Sequence, residues 1–179
     1  PTLAYFGFPN RNKGLDVLLK SAPKINAQLL LLTNFDKNDS YQAYLSDLYI
    51  KARKEGAKIH IAGSLDDERL SEVLQECRFF LLPQPNPLTA KSGTAIAAVS
   101  HGLPVISKAH NNPVYNLPYK HKENAILIND SGIENFAKIC NKLLLDKKLS
   151  SKLINNLLPL QDYFSWENIV KKHLELYKK

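Results

Sequence analysis

The segment "KIHIAGSLDDERLSEVLQECRFFLLP", residues 58–83, decides the fold of this chain. It opens with one short apolar run, "KIHIAG", and closes with another, "RFFLLP". Between the two runs, residues 66–77 have an acidic start and then apolar side chains at helical spacing. A strand, a helix and a second strand in this order form the unit that places two parallel strands in one sheet.

The same alternation extends in both directions along the chain. Further strands are predicted in "LAYFGF" (3–8), "AQLLLLTN" (27–34), "PVIS" (104–107) and "NAILIN" (124–129), and further helices over 14–25, 40–55 and 93–101. Beyond residue 131 three helical segments follow, and Ser165 is a predicted N-cap of the last. Strands that are apolar on both faces and alternate with helices predict a doubly wound, Rossmann-like parallel α/β sheet with extra carboxyl-terminal helices.

Composition predicts one soluble domain, because 179 residues with 44% hydrophobic side chains can bury a substantial core. The net charge of +7 is spread along the chain, which favours solvated helix faces. The alternative is an anionic partner, either a phosphate-bearing ligand or the acidic lipid surface of a membrane that the domain contacts peripherally. Nucleic acid is disfavoured because the basic residues are not interleaved with aromatic ones.

Cys77 and Cys140 lie in apolar periodic segments, and neither has a His or Cys partner at metal-ligand spacing. They predict buried free thiols and a reducing compartment, the cytoplasm. The apolar runs fall short of the roughly 20 residues that span a bilayer. The chain enters an apolar run directly after Pro1, which suggests a segment of a longer protein.

In a doubly wound sheet, ligands bind where the strands end, so the loops that follow the strands are the ones to inspect. The loop "GFPNRNKG" places Arg11 and Lys13 immediately before a helix, where cations and backbone amides together can bind an anion; the alternative is a loop with solvated charges. The phosphate-binding patterns GxxxxGK[ST] and GxGxxG are absent, which disfavours ATP hydrolysis and NAD chemistry.

The stretch "KSGTAIAAVSHGLPVIS", residues 91–107, is the second candidate for anion binding. Ser92, Gly93 and Thr94 offer hydroxyls and bare N–H groups at a helix start, as an oxyanion such as a diphosphate requires. His101, at the end of that helix, is interpreted as bonding the last carbonyls rather than as a catalyst. In "AGSLDDERL" the backbone of Gly63, Ser64 and Leu65 is the candidate for a flat base, while Asp66 and Asp67 are interpreted as a capped helix start.

Four segments taken in order resemble the carboxyl-terminal, donor-binding half of GT-B glycosyltransferases, in particular the large retaining family 4 of the group 1 glycosyl transferases. They are "NRNKGLDVLLKSAPKI", "IAGSLDDERLSEVLQECRFFLLP", "SGTAIAAVSHGLPVIS" and "FSWENIVKKHLELY". The resemblance implies that residues 1–179 bind a nucleotide-diphosphate sugar and that an acceptor-binding half precedes them in the full protein.

Carried over residue by residue, the resemblance assigns Lys13 to the donor diphosphate, together with the backbone at Lys91, Ser92 and Gly93 and the start of the helix at Thr94. The arginine that the family has after strand one is Phe8 here, and Arg11 is the proposed substitute. The paired glutamates of the family fall at Thr89 and Ala97, so Thr89 is the candidate for the sugar or ribose. This chain therefore looks closest to the branches that lack the pair.

Three functions follow as hypotheses. The first is the donor-binding domain of a glycosyltransferase that transfers a sugar to a glycan, lipid or other acceptor with retention, without a metal or other cofactor, and with no assigned catalytic residue. Such a fragment alone would bind donor weakly and turn over little. The second is a non-catalytic, degenerate GT-B module for binding or assembly. The third, a sugar-nucleotide epimerase, would need acidic or histidine catalysts that these loops do not offer.

Overall fold

The strands of the chain form one parallel sheet in a computed structural model that describes residues 1–130 and 132–178. They are β1 (Thr2–Phe6), β2 (Gln28–Leu32), β3 (Ile59–Ile61), β4 (Phe79–Leu82), β5 (Val105–Lys108) and β6 (Ala125–Ile128). Their order across the sheet is β3-β2-β1-β4-β5-β6, the doubly wound order in which the chain changes direction between β1 and β4. The predicted fold class is confirmed, and every predicted strand is present.

The helices cover both faces of the sheet. They are α1 (Leu15–Ser21), α2 (Ser40–Lys54), α3 (Asp67–Gln75), α4 (Gly93–Ser100), α5 (Ile133–Leu145), α6 (Lys147–Asn155), α7 (Leu158–Phe164) and α8 (Trp166–Tyr177). Side-chain caps set several of their starts: Asp66 accepts from the Arg69 N–H and Ser165 from the Asn168 N–H, as the sequence predicts.

The carboxyl-terminal region has one more helix than the sequence predicts. The segment 148–160 contains a break between Asn155, where α6 ends, and Leu158, where α7 begins. Pro159 lies in the first turn of α7, where its missing N–H costs nothing. In a continuous helix the same proline would remove a hydrogen bond from the interior, so the chain starts a new helix instead.

Two apolar clusters lie on opposite faces of the sheet because side chains alternate along each strand. On β1, Leu3 and Tyr5 pack in one cluster, with α1, α2 and α5, while Ala4 belongs to the other, with α3, α4 and α7. Burial on both faces explains why the strands are continuous aliphatic runs rather than alternating ones.

Helix α8 leaves an apolar stripe uncovered in this structure. Its exposed side chains are Trp166, Val170, Leu174, Leu176 and Tyr177. The hollow of about 580 Å³ beside Trp166 is lined by residues of α8 and by Lys178, which follows it, so it is a surface groove along one helix. Among the described residues, the helices are all too short or too polar to cross a membrane.

The loop after β1 and the end of β4 approach each other backbone to backbone. Gly14, with φ of 67°, follows a single 3₁₀ turn at Arg11–Lys13 and precedes α1. A Cβ on Gly14 would lie 1.9 Å from the carbonyl oxygen of Pro83, the residue that follows β4. This position therefore requires glycine both for its left-handed backbone and for the space that a side chain would occupy.

We expect Gly14→Ala to destabilise the domain by more than about 4 kcal/mol, because the new methyl group collides with the Pro83 backbone. The matched control is Gly102→Ala: Gly102 also has a positive φ, of 78°, but a Cβ there has no neighbour within 4 Å. The control should cost only the left-handed strain of about 1–2 kcal/mol. Urea unfolding of both variants measures the difference, and equal losses would contradict the steric argument.

Both cysteines are buried and free, as the sequence predicts. Burial raises the pKa of the Cys77 thiol to about 11, with a further contribution from the charge of Glu76. Burial raises the pKa of the Cys140 thiol to about 12. The thiolate is the reactive form, so both thiols are held in the inert, protonated state.

Neither thiol of the folded chain should react at an appreciable rate with a thiol-specific disulfide reagent at about pH 8, and both should react at once in urea. As pH is raised on the folded chain, Cys77 should react before Cys140, since its pKa is the lower of the two. Mass spectrometry of the labelled peptides reads out each site. Fast labelling of Cys140 in the native chain would show that its segment opens far more readily than its burial implies.

Candidate functional site

The candidate site is a crevice at the carboxyl ends of β1, β2 and β3, beside the point where the strand order reverses. In a doubly wound sheet this is where ligands bind. The cavity measures about 520 Å³. Its lining combines aromatic and aliphatic side chains with a few polar ones: Phe6, Gly7, Phe8, Pro9, Leu32, Thr33, Asn34, Phe35, Asp36, Gln42, Gly63, Ser64, Leu65, Leu70 and Thr94.

One corner of the crevice brings together two segments that are distant in sequence, the loop after β1 and the start of α4. Gly7 and Thr94 line the crevice there, and Lys13 borders it through Thr94. The Lys13 ammonium lies 3.5 Å from the Thr94 hydroxyl, across 81 positions of chain. A Cβ on Gly7, at the end of β1, would lie 3.4 Å from the Thr94 methyl group, so the backbone there is close to the start of α4. Lys13 and Thr94, both singled out from the sequence, are therefore neighbours.

The start of α4 presents its first amides without a side-chain cap. Within the described residues, Ser92 occupies the N-cap position, and no side chain accepts from the first turn of this helix. The Ser92 hydroxyl instead lies 3.4 Å from the Thr94 hydroxyl. Free N–H groups at a helix start carry a partial positive charge. With Lys13 beside them, they form a cationic corner that can hold an anion.

The opposite wall comes from the loops after β2 and β3. Asn34 donates to the Ser64 hydroxyl at 2.9 Å, which ties the two loops together. Gly63 has φ of 77°, and a Cβ there would lie 3.0 Å from the Asn34 amide oxygen. Gly63, Ser64 and Leu65 line the crevice where the sequence places them, while Asn34 is a lining residue that the sequence analysis did not single out.

Among the described residues, Thr94 is the one predicted diphosphate residue that lines the crevice, and Lys13 and Ser92 border it by contacting Thr94. The three other predicted residues before Thr94 are exposed and do not line the crevice. Thr89 and Lys91 are exposed in the turn before α4, where the Thr89 hydroxyl accepts from the Lys91 N–H at 3.3 Å. Gly93 is exposed at the helix start itself, with nothing within 4 Å of a Cβ built on it. The roles proposed for these residues toward a donor stay predictions.

Arg11 lies against a side chain of α2. Its guanidinium carbon lies 4.4 Å from the centre of the Tyr41 ring. Burial, and then the nearby charge of Asp16, raise the pKa of Tyr41 to about 12, so the ring stays neutral and its face attracts the cation. The structure thus brings Lys13, but not Arg11, to the cationic corner.

His101 has the structural role that the sequence predicts. Its Nδ1 lies 2.7 Å from the Ala97 carbonyl and its Nε2 lies 3.0 Å from the Ser71 hydroxyl. Both ring nitrogens are therefore engaged, and the imidazole joins the end of α4 to α3. Neither contact places His101 in the crevice.

The crevice is poor in acids. Asp36 is the one carboxylate among the described residues that line it. The positions of the paired glutamates, Thr89 and Ala97, carry no charge. Residues 1–130 and 132–178 contain no group of three His, Cys, Asp or Glu side chains that could hold a metal ion.

Sequence patterns give little notice of two polar lining residues. Asn34 is the last residue of the predicted strand 27–34, and its position at the carboxyl end of a strand is the available signal. Gln42 lies within α2, where its side-chain oxygen accepts from the Asp36 N–H at 2.8 Å and holds the loop after β2. No local pattern distinguishes such a glutamine from a solvated one.

Solved structures with this fold include several glycosyltransferases. Sucrose-phosphate synthase from Thermosynechococcus elongatus is 24% identical, with a TM-score of 0.78 over 99% of this chain and 45% of that one. HepE from Anabaena, solved with UDP and glucose, is 16% identical, with a TM-score of 0.80 over 99% of this chain and 48% of that one. The chain thus spans slightly less than half the length of these two proteins.

A third structure corresponds to a separate domain. It is the carboxyl-terminal domain of LpcC, a glycosyl transferase group 1 family protein from Francisella tularensis, which is 16% identical with a TM-score of 0.75. The match covers 91% of this chain and 85% of that domain. Among curated protein sequences, none matches this chain.

The family itself is given by sequence rather than by structure. The model of the family described as "Glycosyl transferases group 1" matches residues 1–146, which include every strand of the sheet and helices α1 to α5. The matched range contains Lys13, the Asn34–Ser64 pair and the start of α4. This chain belongs to the group 1 glycosyl transferases.

Proposed function

We propose that this chain is the donor-binding, carboxyl-terminal domain of a family 4 glycosyltransferase that transfers a sugar from a nucleotide-diphosphate sugar to an acceptor. The observation that carries the proposal is the cationic corner: Lys13 beside Thr94, at the uncapped start of α4. A diphosphate needs cations and N–H donors in one place, and this corner supplies both.

The crevice matches the remaining parts of such a donor. Its aromatic and aliphatic lining, with the backbone of Gly63 to Leu65 and the amide of Asn34, suits a flat base. Neighbouring structures support a uridine nucleotide as the first to test, because HepE was solved with UDP and with UDP-glucose. On this proposal the base lies near Asn34 and the diphosphate near Lys13.

The proposed chemistry is departure of the nucleoside diphosphate as the sugar moves to its acceptor. Lys13 and the α4 amides would stabilise the negative charge that develops on the leaving diphosphate. Retention of configuration and independence of metal are what the resemblance to family 4 implies. The acceptor-binding half, contributed by another part of the protein, would supply the acceptor contacts and any base.

The uncharged residues at positions 89 and 97 favour a second candidate, a degenerate module that binds or assembles without catalysis. Without carboxylates there, a sugar hydroxyl loses its strongest acceptors, since hydrogen bonds to charged groups contribute more than neutral ones. The two candidates differ in one measurable property: the donor domain binds a nucleotide, and the degenerate module need not bind any.

Titration of the chain with UDP-glucose, GDP-mannose and ADP-glucose by calorimetry or NMR tests the proposal. At least one nucleotide sugar should bind, and Lys13→Ala should weaken that binding about ten-fold or more by removing a charge-assisted contact.

The matched control is Lys58→Ala. Lys58 is exposed and immediately precedes β3, so it lies at the amino-terminal end of that strand, whereas the crevice lies at the carboxyl ends. This variant lowers the net charge by as much as Lys13→Ala does and leaves Lys13, Thr94 and the start of α4 unchanged. Its affinity should equal that of the unmodified chain. Equal weakening by the two variants would assign the effect to overall charge, and failure of every nucleotide to bind would favour the degenerate module.

A further inference from the structure

One charged side chain of the crevice has no role in the cationic corner. Among the described lining residues, Asp36 is the one carboxylate, and the other polar side chains are neutral: Thr33, Asn34, Gln42, Ser64 and Thr94. A carboxylate repels a diphosphate, so Asp36 does not help to hold an anion beside Lys13. Its position in the crevice therefore points to a ligand group that donates hydrogen bonds.

The Asp36 carboxylate is held in place but keeps the capacity to accept. Its Oδ1 accepts from the Asn38 N–H at 2.9 Å, and the Asp36 N–H donates to the Gln42 side-chain oxygen at 2.8 Å. Across residues 1–130 and 132–178, no ion pair includes Asp36. An ionised carboxylate offers about four acceptor sites, so a single hydrogen bond leaves most of them open. Asp36 is also exposed, which makes those sites accessible from the crevice.

The loop after β2 runs from the loop after β3 toward the loop after β1. Strand β2 lies between β1 and β3 in the sheet, and neighbouring strands are about 4.8 Å apart. Near the start of this loop, Asn34 donates to the Ser64 hydroxyl in the loop after β3. Just beyond its end, the Tyr41 ring lies 4.4 Å from the guanidinium carbon of Arg11, which belongs to the loop after β1. Asp36 lies along the chain between these two contacts.

The position of Asp36 corresponds to the middle of a nucleotide placed as proposed above. Base, ribose and diphosphate are bonded in this order, with the base beside Asn34 and the diphosphate beside Lys13 and the start of α4. The ribose joins the two, so it crosses the end of β2. Of the two sugars in the donor, the ribose is the one bonded to the base, and it is therefore the one nearer to Asp36.

We propose that the Asp36 carboxylate binds the ribose hydroxyls of the donor nucleotide and thereby favours ribonucleotides over deoxyribonucleotides. This inference rests on the proposed function. The 2′ and 3′ hydroxyls of ribose are adjacent donors, and the two oxygens of a carboxylate are acceptors only, so the two groups are complementary. Hydrogen bonds to a charged acceptor contribute more than neutral ones, which makes Asp36 the strongest acceptor for a ribose among the described lining residues. Its charge also disfavours the reversed orientation of the nucleotide, in which the diphosphate would lie beside it.

Calorimetric titrations test the proposal first through the ligand. The probes are UDP, GDP and ADP, each in its ribose, 2′-deoxy and 2′,3′-dideoxy forms. For any of the three that binds, we expect the dideoxy form to bind the unmodified chain about ten-fold more weakly than the ribose form. These probes lack the transferred sugar, so contacts to that sugar do not affect the result. The comparison needs no variant, so it does not depend on whether a variant folds.

The variant Asp36→Asn then assigns the effect to this side chain. Asparagine keeps an oxygen for the Asn38 N–H and removes the charge. The ribose form should bind about ten-fold more weakly to the variant, whereas the dideoxy form, which has no hydroxyl contact to lose, should bind no more weakly than to the unmodified chain. The matched control is Asp47→Asn, which removes the same charge from an exposed residue of α2 outside the crevice and should leave every affinity unchanged. Urea unfolding verifies that both variants are folded.

Each contrary outcome has a distinct meaning. Equal affinities of the ribose and dideoxy forms for the unmodified chain overturn the ribose contact but leave the donor assignment standing. Tighter binding of the ribose form to Asp36→Asn means that the carboxylate only repels the diphosphate, and equal weakening of both forms means that it contacts the base. Either result overturns the proposal. If none of the nucleotides binds, the proposed function fails, and this inference fails with it.

Discussion

The contact between the backbones of Gly14 and Pro83 is the constraint on which the candidate site depends. A Cβ on Gly14 would lie 1.9 Å from the Pro83 carbonyl oxygen, so the loop after β1 rests directly on the residue that follows β4. These two strands flank the reversal in strand order. The contact fixes the 3₁₀ turn over that reversal and thereby brings the Lys13 ammonium within 3.5 Å of Thr94 on α4.

The sequence predicts the parts of the structure that depend on how apolar and polar residues alternate along the chain. Each strand is an apolar run because both of its faces are buried, and each run alternates with a helix, so the fold class follows from the pattern alone. The loops that end the strands must then share one edge of the sheet. The sequence therefore predicts that Lys13, Thr94 and the Gly63–Leu65 backbone lie at the same end of the strands.

What could not be predicted depends on contacts between residues far apart in sequence. Periodicity does not encode which strands are neighbours, so the pairing of β1 with both β2 and β4 appears only in the structure. Its proximity to Lys13 in sequence predicts that Arg11 contacts the diphosphate. In the structure the Arg11 guanidinium lies over the Tyr41 ring. A local sequence pattern does not predict this contact, because Tyr41 belongs to another helix.

Positive and negative groups lie at different places in and beside the crevice, and their positions determine how the proposed donor would be held. Lys13, which borders the crevice, and the free amides of α4 lie where the diphosphate is proposed to bind, and Asp36, the one carboxylate among the described lining residues, belongs to the loop after β2. Hydrogen bonds to charged partners contribute about 1.5–3 kcal/mol and neutral ones about 0.5–1.5 kcal/mol. At the two positions that the family resemblance assigns to the sugar and ribose, Thr89 and Ala97 are neutral, so the proposed donor would make weaker contacts through its sugar than through its diphosphate. On the proposed function, most of the binding energy of this domain comes from the nucleotide, and selection among sugars rests on groups outside it.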